Sequence, residues 1–264
     1  MIPYFQIDAL VIGPLTIQVW GMMASLGLLA GLCLLYYWSK KYFLSEQVIF
    51  DLAFYAVLGG FIMARLFHVV FYQGEYYLLH PEEIFYFWQG GLSSIGGFAG
   101  ALMAIYIFAK VKHFSLKELW PYFDLLSVGF WLGMAIGRIG CFLTHLHPGI
   151  SSNFILAVKF PTGARHDLGL YDSILAWILF IIFGLSFKKL IKKRYGLVTI
   201  LSFMSYALVR FWLDFLRATD IPLADTRYWH LTPAQWGMMV MFFGLTFLLI
   251  FDNIKQSKNS GEVA

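Results

Sequence analysis

Long apolar runs separated by short polar breaks make up most of this chain. Lipid offers a backbone nothing to hydrogen-bond with. A run of about 17–25 apolar residues therefore forms a helix, which satisfies its own N–H and C=O groups. Such runs stand near residues 15–38, 50–72, 92–110, 121–142, 170–187, 196–217 and 234–252. The pattern predicts an all-α integral membrane protein of about seven transmembrane helices in a single membrane domain, 1–264. Between the second and third runs, residues 74–90 read GEYYLLHPEEIFYFWQG, an aromatic and acidic segment suited to lying in a membrane interface. Two connections, 143–169 and 218–233, are too long for simple connectors and are expected as loops that bind or cover something.

Composition sharpens this. The chain is 60% hydrophobic and 13% charged, with a mean hydropathy of +0.71, whereas soluble domains carry about 25% charged residues. A soluble enzyme is excluded. A nucleic-acid surface is not implied either, because the lysines cluster in short loops beside the runs. The start, MIPYFQIDALVIGPLTI, lacks the basic region of a cleaved signal peptide, so the first span is expected to stay. Cys33 and Cys141 lie far apart in or beside apolar runs and predict no disulfide framework.

Charge then sets the predicted topology. Lys40 and Lys41 follow the first run. Lys110, Lys112 and Lys117 follow the third. Lys188, Lys189, Lys192, Lys193 and Arg194 follow the fifth, and Lys255 and Lys258 follow the last. Every second connection is basic and is assigned to the cytoplasm, which puts the N-terminus outside and the C-terminus inside. The two long loops then lie outside.

The remaining arginines carry the candidate chemistry. Arg65, Arg138 and Arg210 sit in or near the outer ends of three different spans, with Arg217 seven residues beyond Arg210. Each alone could snorkel to headgroups. Three at one depth point instead to a shared anionic site, and guanidinium binds phosphate in bidentate fashion. Asp214 is one helical turn from Arg210 and is placed to pair with it. The densest stretch is GMAIGRIGCFLTHLHPG, residues 133–149, where Gly137 and Gly140 flank Arg138 and Cys141, Thr144, His145 and His147 follow. GGLSSIGGFAGA, residues 90–101, opens the third run with glycines that suit tight packing or substrate approach. His145 and His147 at i, i+2 do not match a familiar metal site, no metal is expected, and nothing in the loops calls for a cofactor. Cys141 reads first as a small apolar filler, the commoner case for a buried cysteine, and only second as a reactive thiol beside an arginine.

These motifs together resemble the prolipoprotein diacylglyceryl transferases of bacteria, over nearly the whole chain. The family's G-R-x-G-N-F-x-N-x-E-x-x-G is met by Gly137, Arg138, Gly140, Phe142 and Gly149. Its G-G-[ML]-S-x-H-G-G is met by Gly90, Gly91, Leu92, Ser93, Gly96 and Gly97. An R-H-P-S-Q-L-Y-E-type element aligns with Arg165 to Asp172, bringing in His166. A Y-x-x-x-R-x-x-x-E-x-x-R element aligns with Tyr206, Arg210, Asp214 and Arg217, and Gln235 matches a glutamine opening the last span. Cys141 and Thr144 stand where the family has asparagines, Leu146 where it has glutamate, and Ile95 where it has histidine. Trp20 stands for a tyrosine and Gln18 for a histidine. The chain thus looks like a divergent member.

The resemblance implies transfer of a diacylglyceryl group from phosphatidylglycerol to the cysteine thiol of a prolipoprotein signal peptide, in the bacterial cytoplasmic membrane. It implies Arg138 and Arg210 as catalytic phosphate holders and His166 as the thiol's base, with His145 and His147 as the other candidates. Arg65, Ser93, Gly96, Gly137, Gly140, Cys141, Thr144, His145, Gly149, Tyr206, Asp214, Arg217 and Gln235 would line the substrate site. A phospholipid-dependent transferase with another acceptor, or a non-catalytic lipid-binding or lipid-translocating relative, would use the same arginines.

Overall fold

The computed structural model describes residues 1–86, 90–221 and 227–261. Residues 87–89 of the expected interfacial segment and 222–226 of the second expected loop lie outside the described residues. The chain, expected as one membrane domain, divides into two compact units, Met1–Leu35 with Phe123–Ala264 and Tyr36–Tyr122.

Each apolar run forms a helix. The helices are α1 (Val19–Lys41), α2 (Glu46–Phe71), α4 (Ser94–Val111), α5 (Leu116–Leu143), α6 (Leu168–Lys193), α7 (Leu197–Leu213) and α8 (Pro233–Gly261). A short α3 (Gly74–Leu79) and a 3₁₀ turn, Pro81–Phe85, lie between α2 and α4. Six helices are long and apolar enough to cross a membrane, and Ile95–Val111 is a shorter apolar helix. Large apolar side chains stand exposed along them, among them Leu102, Leu185, Val240 and Phe247. That pattern suits lipid as the surrounding solvent, and the chain is a multi-pass membrane protein.

Helix α5 starts five residues before the expected position 121. Ser115 and Glu118 form a capping box, the Glu118 carboxylate accepting from the Ser115 N–H at 2.7 Å and the Ser115 hydroxyl from the Glu118 N–H at 3.4 Å. The helix then tolerates Pro121 in its second turn.

In the first unit, α1 and α5 meet backbone to backbone. A Cβ added at Gly27 would lie 2.3 Å from the Gly133 carbonyl oxygen, and one at Gly31 2.8 Å from that of Gly129. Small residues four apart on both helices allow this approach. Helix α7 packs between α6 and α8. Its start is completed from α5. The buried Asp124 carboxylate accepts from the Gly196 N–H at 2.6 Å, the Thr199 N–H at 2.9 Å and the Thr199 hydroxyl at 3.0 Å. Gly196, at φ +90°, makes the turn that presents those donors.

The segment 143–169, expected as a loop, contains three short strands. It holds β4 (Pro148–Ser151), β5 (Val158–Phe160) and β6 (Gly163–Asp167). These join β1 (Ile2–Pro3) in a sheet of order β1-β5-β6-β4, with β1 and β5 parallel and the other pairs antiparallel. A hairpin of β2 (Ala9–Ile12) and β3 (Leu15–Gln18) leads into α1. Strands of two to five residues fall below what sequence periodicity resolves.

In the second unit, α2 and α4 interlock through Gly59 and Gly100, where a Cβ at Gly100 would lie 2.3 Å from the Gly59 carbonyl oxygen.

Candidate active site

Five charged side chains of the first unit form a chain of alternating sign. Arg138 Nη1 lies 3.5 Å from Asp172 Oδ2. Arg210 Nε lies 3.3 Å from Asp172 Oδ1, and its Nη2 reaches Asp214 Oδ1 at 2.9 Å. Arg217 Nε stands 3.5 Å from the same Asp214 oxygen. Arg138 comes from the end of α5, Asp172 from the second turn of α6, Arg210 from the last turn of α7, and Asp214 and Arg217 from the turn that follows. The expected pairing of Arg210 with Asp214 is present. Both carboxylates are buried, with side chains 1% exposed, and Arg210 is 7% exposed.

Charges buried this deeply persist only when paired. Arg210 is the most deeply buried of the three guanidiniums and is held between both carboxylates. Its buried Nη1 makes no hydrogen bond to any described residue. A buried guanidinium with an unused donor is a receptor for an anion, and the planar N–H fork suits phosphate.

Other expected residues support this cluster. Tyr206 is buried, interacts with Asp172, Arg138 and Arg210, and packs its ring 5.1 Å from that of Trp131. Thr232 donates its hydroxyl to Asp214 Oδ2. Gln235 holds Thr232 in place, accepting from its N–H at 2.9 Å and donating to the Phe211 carbonyl at 3.1 Å. Cys141 is buried with its sulfur 4.0 Å from Arg138 Nη1. Gly149 bridges to Arg217, and a Cβ there would lie 2.5 Å from the Leu216 carbonyl oxygen. The absent side chain lets the segment after α7 close on β4. Gly140 and Gly137 instead face α1, where Cβ atoms would lie 2.9 Å from Met23 Cβ and 3.7 Å from Ala24 Cα. They seat the helix that carries Arg138. Thr144 donates to the Gly140 carbonyl at 2.9 Å and finishes α5.

The three histidines part ways. His145, at φ +48°, uses both ring nitrogens, Nδ1 toward Asp167 Oδ2 at 2.7 Å and Nε2 toward the Phe5 carbonyl at 2.6 Å. It ties the N-terminal segment to the β6–α6 junction. Asp167 also caps α6 by accepting from the Leu170 N–H at 3.0 Å, and burial pushes its carboxyl up. His166 Nδ1 meets the Tyr171 hydroxyl at 2.6 Å, and burial pushes its imidazole down. His147 alone feels the cluster. Burial first, then the charges of Arg138, Arg217 and Arg210, push its imidazole down to about 3.

Arg65, Ser93 and Gly96 belong to the second unit. Arg65, expected to help hold phosphate, gives its N–H groups to carbonyls of Ile84 at 2.8 Å, Gly90 at 2.7 Å, Gly91 at 3.2 Å, Glu83 at 2.7 Å and Tyr86 at 3.5 Å. It organises the segment before α4. Ser93 caps α4, accepting from the Gly96 N–H at 3.4 Å. A Cβ at Gly96 would lie 2.4 Å from Phe67 Cβ, so this glycine admits α2.

Arg165 sits apart from the five-residue chain, forked onto Asp220 at 2.9 and 2.5 Å. Sequence reasoning placed Asp172 at the end of a family motif but did not count it among the site residues; it joins Arg138 to Arg210. The signal was available, since a carboxylate in the second turn of an apolar run is itself a functional marker.

The model of the prolipoprotein diacylglyceryl transferase family matches residues 8–251. Among similar curated proteins, one from Methylobacillus flagellatus is 32% identical over 258 residues, covering 94% of this chain and 97% of that protein. One from Francisella tularensis subsp. holarctica is 31% identical over 273 residues, covering 98% of each. One from Nostoc sp. is 29% identical over 270 residues, covering 95% of this chain and 94% of its own length. All three are named phosphatidylglycerol–prolipoprotein diacylglyceryl transferases. With the arginine cluster in place and the match running through all but the ends, this chain belongs to the prolipoprotein diacylglyceryl transferase family.

Proposed function

We propose that this protein transfers the diacylglyceryl group of phosphatidylglycerol to the cysteine thiol of a prolipoprotein signal peptide. It does so in the bacterial cytoplasmic membrane, with its N-terminus and the arginine cluster toward the outer face. The observation that carries the reading is the buried guanidinium of Arg210, held between Asp172 and Asp214 with its Nη1 unused among the described residues.

The chemistry fits a cluster of fixed guanidiniums with a donor to spare. A thiolate attacks the glycerol carbon, a C–S bond forms, and the C–O bond to phosphorus breaks. The electron pair leaves with glycerol phosphate, whose phosphate gains negative charge as it departs. Cations fixed around the phosphate stabilise that state more than the bound diester, which is the requirement for catalysis. Arg138 and Arg210 are assigned to the phosphate. Asp172 holds both guanidiniums apart and oriented, and Asp214 does the same for Arg210 and Arg217. Tyr206, Gln235 and Gly149 keep this frame in register.

Purified protein, phosphatidylglycerol and a synthetic lipobox peptide test the reading through glycerol phosphate release. Peptide-dependent release, lost in Arg138→Ala and Arg210→Ala, is expected. Lipid binding without release for any thiol peptide would replace it with a different acceptor or a lipid-binding role. Unchanged release from both variants would remove the arginine site from the chemistry.

A further inference from the structure

We propose that the second unit holds a binding site for a hydroxyl-rich group, the polyol or sugar headgroup of a membrane lipid, in the cleft between the last turns of α2 and the segment that follows.

The cleft has a volume of about 630 Å³, within the range of about 300–1,000 Å³ seen for small-ligand sites. Helix α2 lends it Arg65, His68 and Tyr72, spaced three and four residues apart and so on one helix face. Gln73, Glu75 and Tyr77 close it from the turn and from α3. A glycine keeps the facing wall open. Gly91, at φ +71°, lines the cleft, and a Cβ there would lie 2.7 Å from His68 Nε2 and 2.8 Å from Arg65 Nη1. A side chain at that position would displace both.

The polar lining has hydrogen-bonding capacity to spare. His68 stacks on Tyr72, with ring centroids 5.6 Å apart and planes 13° from parallel. Its ring nitrogens make no hydrogen bond to a described residue, and neither do the hydroxyls of Tyr72 and Tyr77, the Gln73 amide or the Glu75 carboxylate. The imidazole, the amide and the phenols offer donors and acceptors alike. A hydroxyl group also donates and accepts, so a cluster of hydroxyls matches this set.

Other chemistries match it less well. An anion needs donors alone, and the strongest donor in the wall is spent, since Arg65 gives its N–H groups to five carbonyls. A cation would meet a like charge, because the Arg65 guanidinium already stands over the Tyr77 ring at 5.2 Å. One of the nearby carboxylates, Glu83, is engaged by the Tyr76 hydroxyl at 2.8 Å. Among the described residues no group of three His, Cys, Asp or Glu side chains is placed to hold a metal ion. A neutral polyol remains, its C–H faces against the tyrosine rings and its hydroxyls toward the polar edges.

The surroundings make the source a lipid. Leu78, Leu79 and Phe85 on the same segment are 83%, 78% and 75% exposed. Exposed apolar side chains beside tyrosines suit a segment lying in a membrane interface. Helix α2 is itself long and apolar enough to span, and the cleft stands at its C-terminal end. With Leu78, Leu79 and Phe85 in the hydrocarbon, the cleft lies at headgroup level. None of its residues belongs to the arginine cluster, so this contact reads headgroup hydroxyls and not phosphate.

The test uses the full chain in phosphatidylcholine vesicles, with diglucosyl diacylglycerol as the probe. Diacylglycerol, phosphatidic acid and free maltose serve as comparisons. Deuterium exchange at the α3 amides of the wild-type chain reads occupancy without any substitution. The glycolipid should slow it about tenfold, and diacylglycerol and phosphatidic acid should leave it unchanged. Glycolipid retained by the protein, counted by native mass spectrometry, should fall about two- to tenfold in His68→Ala and likewise in Gln73→Ala, the range for one lost hydrogen bond. Equal exchange with the glycolipid and with diacylglycerol overturns the proposal. Slowing by phosphatidic acid alone makes the cleft a phosphate site and also overturns it. Slowing by maltose as strong as that by the glycolipid keeps the polyol site but overturns the lipid as its source. Undiminished glycolipid binding in both variants places the contact elsewhere and overturns the cleft.

Discussion

Replacing Gly27 by alanine tests the helix seam that carries Arg138. The added Cβ would lie 2.3 Å from the Gly133 carbonyl oxygen and 3.2 Å from the Gly137 N. Real Cβ atoms essentially never come within 3.0 Å, so α1 and α5 must part by at least about 0.7 Å. Neither neighbour is a side-chain tip that can rotate away, because both are backbone. Overpacking of this kind costs about 1–3 kcal/mol. The same glycine-to-alanine change gains about 0.5–1 kcal/mol from backbone entropy in a helix interior. Gly244, in the middle of α8, meets nothing within 4 Å and isolates that second term. Gly27→Ala should therefore be less stable than Gly244→Ala by about 1–3 kcal/mol, measured by denaturant titration in mixed micelles. It should also bind phosphatidylglycerol more weakly, since Arg138 follows Gly137 on the displaced helix. Equal stability of the two variants would refute the backbone contact.

Asp124→Ala leaves three donors at the start of α7 without their acceptor and should cost about 1–3 kcal/mol in the same titration. Arg65→Lys replaces a five-donor fork with three donors on a point charge, so amides of residues 82–86 should exchange with deuterium about tenfold faster, with helix amides of α6 unchanged. The contribution of His147 to stability should be full above about pH 6.5, fall as pH drops, and level off near 3. The unfolded chain protonates His147 at its ordinary 6.5 while the folded imidazole stays neutral to about 3. His147→Gln should remove up to one proton from that slope. Asp172→Asn should be destabilised without anionic lipid, because Arg138 and Arg210 lose their shared counter-charge, and should gain more stability from phosphatidylglycerol than the wild type does.

The helices were legible because lipid makes one demand on every span, and apolar runs answer it at every position. Their ends were less so, as α5 shows, since a capping box at Ser115 and Glu118 reads like any polar break. The strands of 148–167 escaped because each is a few residues long and one partner, Ile2–Pro3, comes from the far end of the chain. Arg138, Arg210 and Arg217 stood out because charge in a span is expensive. Arg65 looked the same by that criterion, yet its cost is met by carbonyls of Glu83, Ile84 and Gly90 that only the fold assembles. The histidines could not be ranked from sequence. His145, His147 and His166 differ in what β4 and β6 turn them toward, and that pairing has no local signature.

The carboxylate that completes α7 has a bearing on biosynthesis. Asp124 lies 72 residues ahead of Gly196, so it is made and placed long before the helix it serves. When residues 196–199 emerge, an acceptor for their amides is already waiting on α5. A chain truncated after α6 would instead hold a buried carboxylate with none of these donors, a species that membrane quality-control proteases could tell from the finished protein. Late arrival of α7 thus closes the arginine site and supplies the donors that the Asp124 carboxylate awaits.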